Sequence, residues 1–132
     1  MIAMTMSRRA QAAVCRVDGD LDAFGVSRYR EVTASLAGSS SALVIDLSGV
    51  GFIDGAGLGA LVGTIRRCRD QDRPVVVCSP RPSVARALEA AGFERFASLA
   101  ATVPEALAAL DALDGLNEVD GTAASQPLGL PF

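Results

Sequence analysis

The spacing of apolar and polar positions changes several times along the chain, and each change predicts an element. Ile2 to Met6 is weakly apolar and reads as an edge strand. Ala12 to Val17 is a stronger strand, running into Asp18-Gly19-Asp20-Leu21-Asp22, a turn loaded with carboxylates. Phe24 to Leu36 places Val26, Tyr29, Val32 or Thr33, and Leu36 on one helical face, and Gly38-Ser39-Ser40-Ser41 breaks it. Leu43 to Leu47 and Val75 to Cys78 are apolar without alternation, as in strands covered on both faces. Between them a helix from Gly57 to Gln71 presents Leu58, Leu61, Val62 and Ile65 to the core, and Pro74 stops the connection. Pro82 suits the first turn of a third helix, which carries Val84, Ala87, Leu88 and Ala91 and stops at Gly92. Phe93 and Phe96 lead into a short strand at Ala97 to Ala100. Thr102, Pro104 and Glu105 then open a last helix through Leu107 and Leu110 to about Leu113.

Strands alternating with helices after an opening strand pair imply an α/β domain. The expected sheet is mixed and mostly parallel, with four to five strands and about four helices. Residues 1–114 make up this domain, and 115–132, rich in Gly, Asn, Ser, Gln and Pro, read as a flexible tail.

Composition narrows the function. The 132 residues can bury a core without metal or disulfide staples, and an apolar content of 50% excludes a wholly disordered chain. With no Trp and one Tyr, that core is aliphatic. A net charge of −3 argues against a nucleic-acid binder acting through a positive field. The densest basic cluster, Arg66, Arg67, Arg69 and Arg73, reads as a solvated helix end that complements the helix dipole. Histidine is absent, which removes the commonest general base and transition-metal ligand. Cys15, Cys68 and Cys78 are too scattered for a zinc cluster or a disulfide framework. Cys15 and Cys78 read as buried hydrophobes. Cys68, beside Arg67 and Arg69, is the thiol whose thiolate the sequence favours, and the candidate for redox chemistry. The N-terminal residues lack the apolar core of a signal peptide and no stretch approaches a membrane span, so a cytoplasmic protein is expected.

Candidate chemistry concentrates between Leu43 and Leu61, a strand, a loop and a helix start. Gly55-Ala56-Gly57-Leu58-Gly59-Ala60 matches the dinucleotide fingerprint G-x-G-x-x-[GA]. The loop before Gly55 is too long for that site, however, and Val75 to Ser79 ends without the acid that would hold a ribose. No cofactor is expected. Asp18, Asp20 and Asp22 alternate as a calcium loop begins, but the rest of such a loop does not follow. They read first as a turn capping a helix, and second as a loop for a small ligand. Asp46 closes a buried strand and bonds loop amides, and Asp54 caps the second helix. Without His, Lys or a positioned nucleophile, neither enzyme activity nor a metal site is expected.

Four segments in order resemble the STAS domain of bacterial anti-sigma factor antagonists. They are Val17 to Asp22, Val44 to Val50, the turn Asp54-Gly55-Ala56-Gly57-Leu58, and Val84 to Phe93. The resemblance spans roughly residues 10–113. It implies an α/β STAS fold and a protein partner, an anti-sigma factor that is a serine kinase-like ATPase, bound at the turn and second helix. In the family the turn typically reads Asp-Ser-Ser-Gly-Leu, one serine is phosphorylated, and the added charge separates the pair. Here Gly55 and Ala56 stand at the serine positions, no Ser or Thr occurs from Asp54 to Gly63, and Ser48 lies earlier in the loop. The function expected is therefore partner binding through Asp54, Gly55, Ala56, Gly57 and Leu58, regulating a sigma factor without this phosphoswitch. The alternative is a STAS-type sensor whose loops near Asp18 and Asp54 hold a nucleotide. The partner's identity and the oligomeric state stay open.

Overall fold

A computed structural model describes residues 2–9, 12–35 and 42–123. Strands β1 (Ala3–Arg9) and β2 (Ala12–Asp18) pair antiparallel. The chain then alternates through α1 (Val26–Ala34), β3 (Ala42–Gly49), α2 (Gly55–Asp70), β4 (Val75–Cys78), α3 (Pro82–Ala90), a 3₁₀ turn at Phe93–Arg95, β5 (Ser98–Ala100) and α4 (Val103–Ala123). The sheet order is β1-β2-β3-β4-β5, and every pairing from β2 onward is parallel.

Side-chain alternation along the strands divides the core into two layers. Ala13, Cys15, Val17, Leu43, Ile45, Leu47 and Val77 pack under α1, α2 and α3 through Tyr29, Leu61, Ile65 and Leu88. Their neighbours Ala12, Val14, Val44, Val76 and Cys78 face the other way, against Ala106 and Leu110 of α4. This double cover is why β3 and β4 read as unbroken apolar runs.

Local signals explain most boundaries. Gly92 takes φ +69°, a left-handed turn that ends α3 where the sequence places its stop. The Thr102 hydroxyl accepts from Glu105 N at 3.2 Å, and the Glu105 carboxylate accepts from Ala101 N at 3.4 Å, forming the expected cap of α4. That helix runs on past Leu113 to Ala123, since no proline follows Pro104 until Pro127 and interior glycines cost only about 1 kcal/mol each. Helix α1 begins at Val26 rather than Phe24 and buries Val26, Tyr29 and Thr33. Leu36 and the Gly38–Ser41 break lie outside the described residues.

Three expectations are corrected. The buried face of α2 is Gly57, Ala60, Leu61, Thr64, Ile65 and Cys68, while Leu58 and Val62 are only half-buried at its margin. Arg73 is not on a solvated helix end but 5% exposed. After α2 the chain reverses through Asp72 at φ +54°, and Arg73 N returns to Cys68 O at 2.8 Å, which carries the side chain beneath the helix. The other arginines have separate tasks, with Arg66 over the Phe96 ring at 5.9 Å and Arg69 donating to the Phe96 carbonyl. Cys68 is buried, and that burial pushes its thiol up, with the Arg73 and Arg67 charges pulling back only in part. The thiolate the sequence favours is thus disfavoured in the fold.

Candidate partner-binding surface

Two loops run side by side at the C-terminal edge of the parallel strands. One joins β2 to α1 and the other joins β3 to α2. Gly19 N donates to Gly49 O at 2.9 Å, Leu21 N to Phe52 O at 2.9 Å, and Asp54 N back to Leu21 O at 3.3 Å. Leu21 and Ile53 form a parallel bridge, and both side chains enter the core.

Asp54 fastens this arrangement. Its backbone is extended, as an N-cap requires, and Oδ1 accepts from Gly57 N at 2.9 Å. Oδ2 accepts from Ala23 N at 3.1 Å on the facing loop. Each carboxylate oxygen thus binds the chain's own backbone, so Asp54 positions the surface. Gly57 is part of the same joint. A Cβ there would lie 1.8 Å from Leu21 O, so only glycine lets α2 start this close to the neighbouring loop.

The expected partner residues therefore separate. Gly55 and Ala56 are exposed, Asp54 and Leu58 are half-buried, and Gly57 is buried. Positions Gly55 and Gly59 have open space where a Cβ would stand, and neither has positive φ. The first hydroxyl along α2 is that of Thr64, which is 3% exposed and 2.8 Å from the Tyr29 hydroxyl. Sequence reasoning missed Phe24, 96% exposed, and Phe52, 52% exposed, which flank the turn. The signal for Phe24 was the Asp22 turn immediately before it, which delays the helix and leaves the ring outside its periodic face.

The acidic turn does not gather into one site. Asp18 pairs with Arg16 Nε at 3.0 Å, Asp22 Oδ1 accepts from Phe24 N at 3.0 Å and Gly25 N at 2.9 Å, and Asp20 is exposed. Among the described residues no group of three or more His, Cys, Asp or Glu side chains is placed to hold a metal ion. Ser48 N donates to Asp46 Oδ1 at 2.9 Å, and Ser48 O accepts from Arg81 Nε at 2.9 Å, which ties that serine's backbone into the loop. No helix among the described residues is long and apolar enough to cross a membrane.

The STAS domain family profile matches residues 3–106, which include the whole sheet and the Asp54 turn. This chain belongs to the STAS domain family. An anti-sigma factor antagonist from Mycobacterium paratuberculosis superposes with a TM-score of 0.77 at 25% identity, covering 83% of this STAS chain and 93% of that one. A STAS domain protein from Planctomyces limnophilus gives 0.71 at 22% identity, with coverages of 82% and 97%. The antagonist SpoIIAA in its unphosphorylated form gives 0.63 at 19% identity, with coverages of 86% and 99%. The Bacillus SpoIIAA structure is also known in its phosphorylated form. The latter two likenesses establish the fold. In this STAS domain, the turn at the start of α2 lacks a side-chain hydroxyl.

Proposed function

We propose that this STAS domain is an antagonist-like binding module. It engages an anti-sigma factor or a related cytoplasmic regulator through the Asp54 turn and the exposed start of α2, and it is not switched by phosphorylation there. Gly55 and Ala56, exposed at the family's serine positions and bare of hydroxyls, carry this reading. With Gly59 they form a low surface on which a partner's main chain can lie closely, while Asp54 and Gly57 hold the backbone in place. A module of this kind acts by occupancy, so its output follows the relative amounts of module, anti-sigma factor and sigma factor. No catalytic step is assigned to it.

The test uses the purified anti-sigma factors of the source genome. Calorimetry should detect a complex with one of them. Ala56→Glu should weaken it by about 3 kcal/mol, the cost of burying an unpaired charge, and leave the fold unchanged. With ATP and a kinase-active partner, mass mapping should find no phosphate between Asp54 and Gly63. Phosphate at Ser48 would show that the switch has moved rather than vanished, and a complex indifferent to Ala56→Glu would refute this surface.

A further inference from the structure

Phe24 is an aromatic side chain in the open on a backbone that is firmly fixed. The residue is 96% exposed, against 0% for Tyr29 and 1% for Phe93. Three amides hold the turn beneath it, with Phe24 N and Gly25 N donating to Asp22 Oδ1 and Val26 N donating to Asp22 O at 3.0 Å. Gly25 is pressed so close that a Cβ would sit 2.7 Å from Asp20 O. These bonds fix the backbone from which the Phe24 side chain projects into solvent. The preceding residue, Ala23, donates to Asp54 Oδ2, and Leu21 donates to the carbonyl of Phe52. Phe24 is therefore fixed to the same joint as the turn, and Phe52, 52% exposed, stands two residues before Asp54 on the facing loop.

We infer that Phe24, with Phe52 beside the turn, is an anchor that binds the anti-sigma factor by inserting into an apolar pocket of that partner. This rests on the binding reading above and extends the surface from α2 onto the β2–α1 loop. A rigid aromatic loses little conformational entropy on docking, and desolvating its ring supplies binding energy that the glycines cannot. Anchors of this type concentrate affinity, while the low surface around them excludes water. The partner it fits combines an apolar pocket with a stretch of main chain able to lie against Gly55, Ala56 and Gly59. An occupant without such a pocket would leave the ring in water.

The experiment titrates the full chain and its Phe24→Ala, Phe24→Tyr and Ala56→Glu variants against each purified anti-sigma factor of the source genome. Melting curves and light scattering are recorded for every variant. Phe24→Ala should weaken the complex by about 30-fold or more, as truncation of an interface anchor does, with an unchanged melting temperature because the ring makes no core contact. Phe24→Tyr should restore affinity to within about threefold, since it keeps the ring's buried area. Loss with Ala56→Glu but an unchanged Phe24→Ala would overturn the anchor and leave the binding reading intact. If no anti-sigma factor binds, both fail. A dimer of this chain that dissociates in Phe24→Ala would overturn the choice of occupant and assign the ring to self-association.

Discussion

One helix supplies two identical substitutions that should act in opposite directions. In Gly57→Ala the new Cβ would lie 1.8 Å from Leu21 O and 2.7 Å from Leu21 C, both backbone atoms that no rotamer change can move. Reaching ordinary contact requires a shift of roughly 1.5 Å, an overpacking strain worth about 1–3 kcal/mol. The same shift pulls on Asp54 N to Leu21 O and on Leu21 N to Phe52 O, at about 1 kcal/mol each. The helix-propensity gain of about 1 kcal/mol offsets part of this, and the net loss expected is about 2–4 kcal/mol. In Gly59→Ala nothing lies within 4 Å of the new methyl, so only the propensity gain remains, and the variant should be more stable by about 1 kcal/mol. Urea denaturation of both variants with the parent, with slopes checked for equality, reads these differences directly. The midpoints should fall on either side of the parent's. Gly57→Ala within about 0.5 kcal/mol of the parent would refute the close approach of α2 to the Leu21 loop.

Further outcomes follow from the same geometry. Gly55→Ser with Ala56→Ser restores the family's Asp-Ser-Ser-Gly-Leu, and because Gly55 has open space and no positive φ, the double variant should melt within a few degrees of the parent. It should also accept phosphate from a kinase-active partner, and a stable, partner-binding variant that stays unphosphorylated would show that the surface departs from the family beyond two hydroxyls. Asp54→Ala removes two bonds to backbone amides and should cost about 2 kcal/mol in denaturant titration, with Asp54→Asn losing less. Burial, with the Asp46 charge adding to it, raises Cys15 from 9.0 to about 11. The folded state therefore keeps a proton between about pH 9 and 11 that the unfolded chain releases. Stability should fall as pH rises through that window, and Cys15→Val should flatten the slope.

The fold was legible because the strands state their surroundings. Val75 to Cys78 has no polar side to offer, so both faces needed cover, and α4 supplies the second. Site residues were harder to read. Periodicity weights large apolar side chains, so it selected Leu58 and Val62, whereas α2 presses its Gly57, Ala60 and Thr64 side inward because tight approach needs small residues. Phe24 counted as helical because an apolar residue beside a periodic stretch is absorbed into it, although the Asp22 turn postpones the helix. Arg73 was misplaced because one residue with positive φ, Asp72, redirects the chain, and nothing in the composition marks it. Cys68 followed from the same error, since neighbouring arginines in sequence said nothing of its burial.

The monotonic order of the sheet bears on how the chain is made. Each strand pairs with the one just synthesised, so no strand waits for a distant partner and loop closures stay short. The β1–β2 hairpin presents an edge, β3 adds to it after α1, and β4 and β5 extend the same edge in turn. The Leu21–Ile53 bridge needs only the chain up to the start of α2, so the joint that carries the proposed surface can form ahead of α3 and α4. Translation-arrest measurements on a length series should register a first pulling-force peak once α2 has cleared the exit tunnel and a later one as α4 docks. A nascent chain of this domain would then carry the proposed binding surface before its second layer is covered, and Val44, Val76 and Cys78 would be the side chains for a chaperone to shield in the interval.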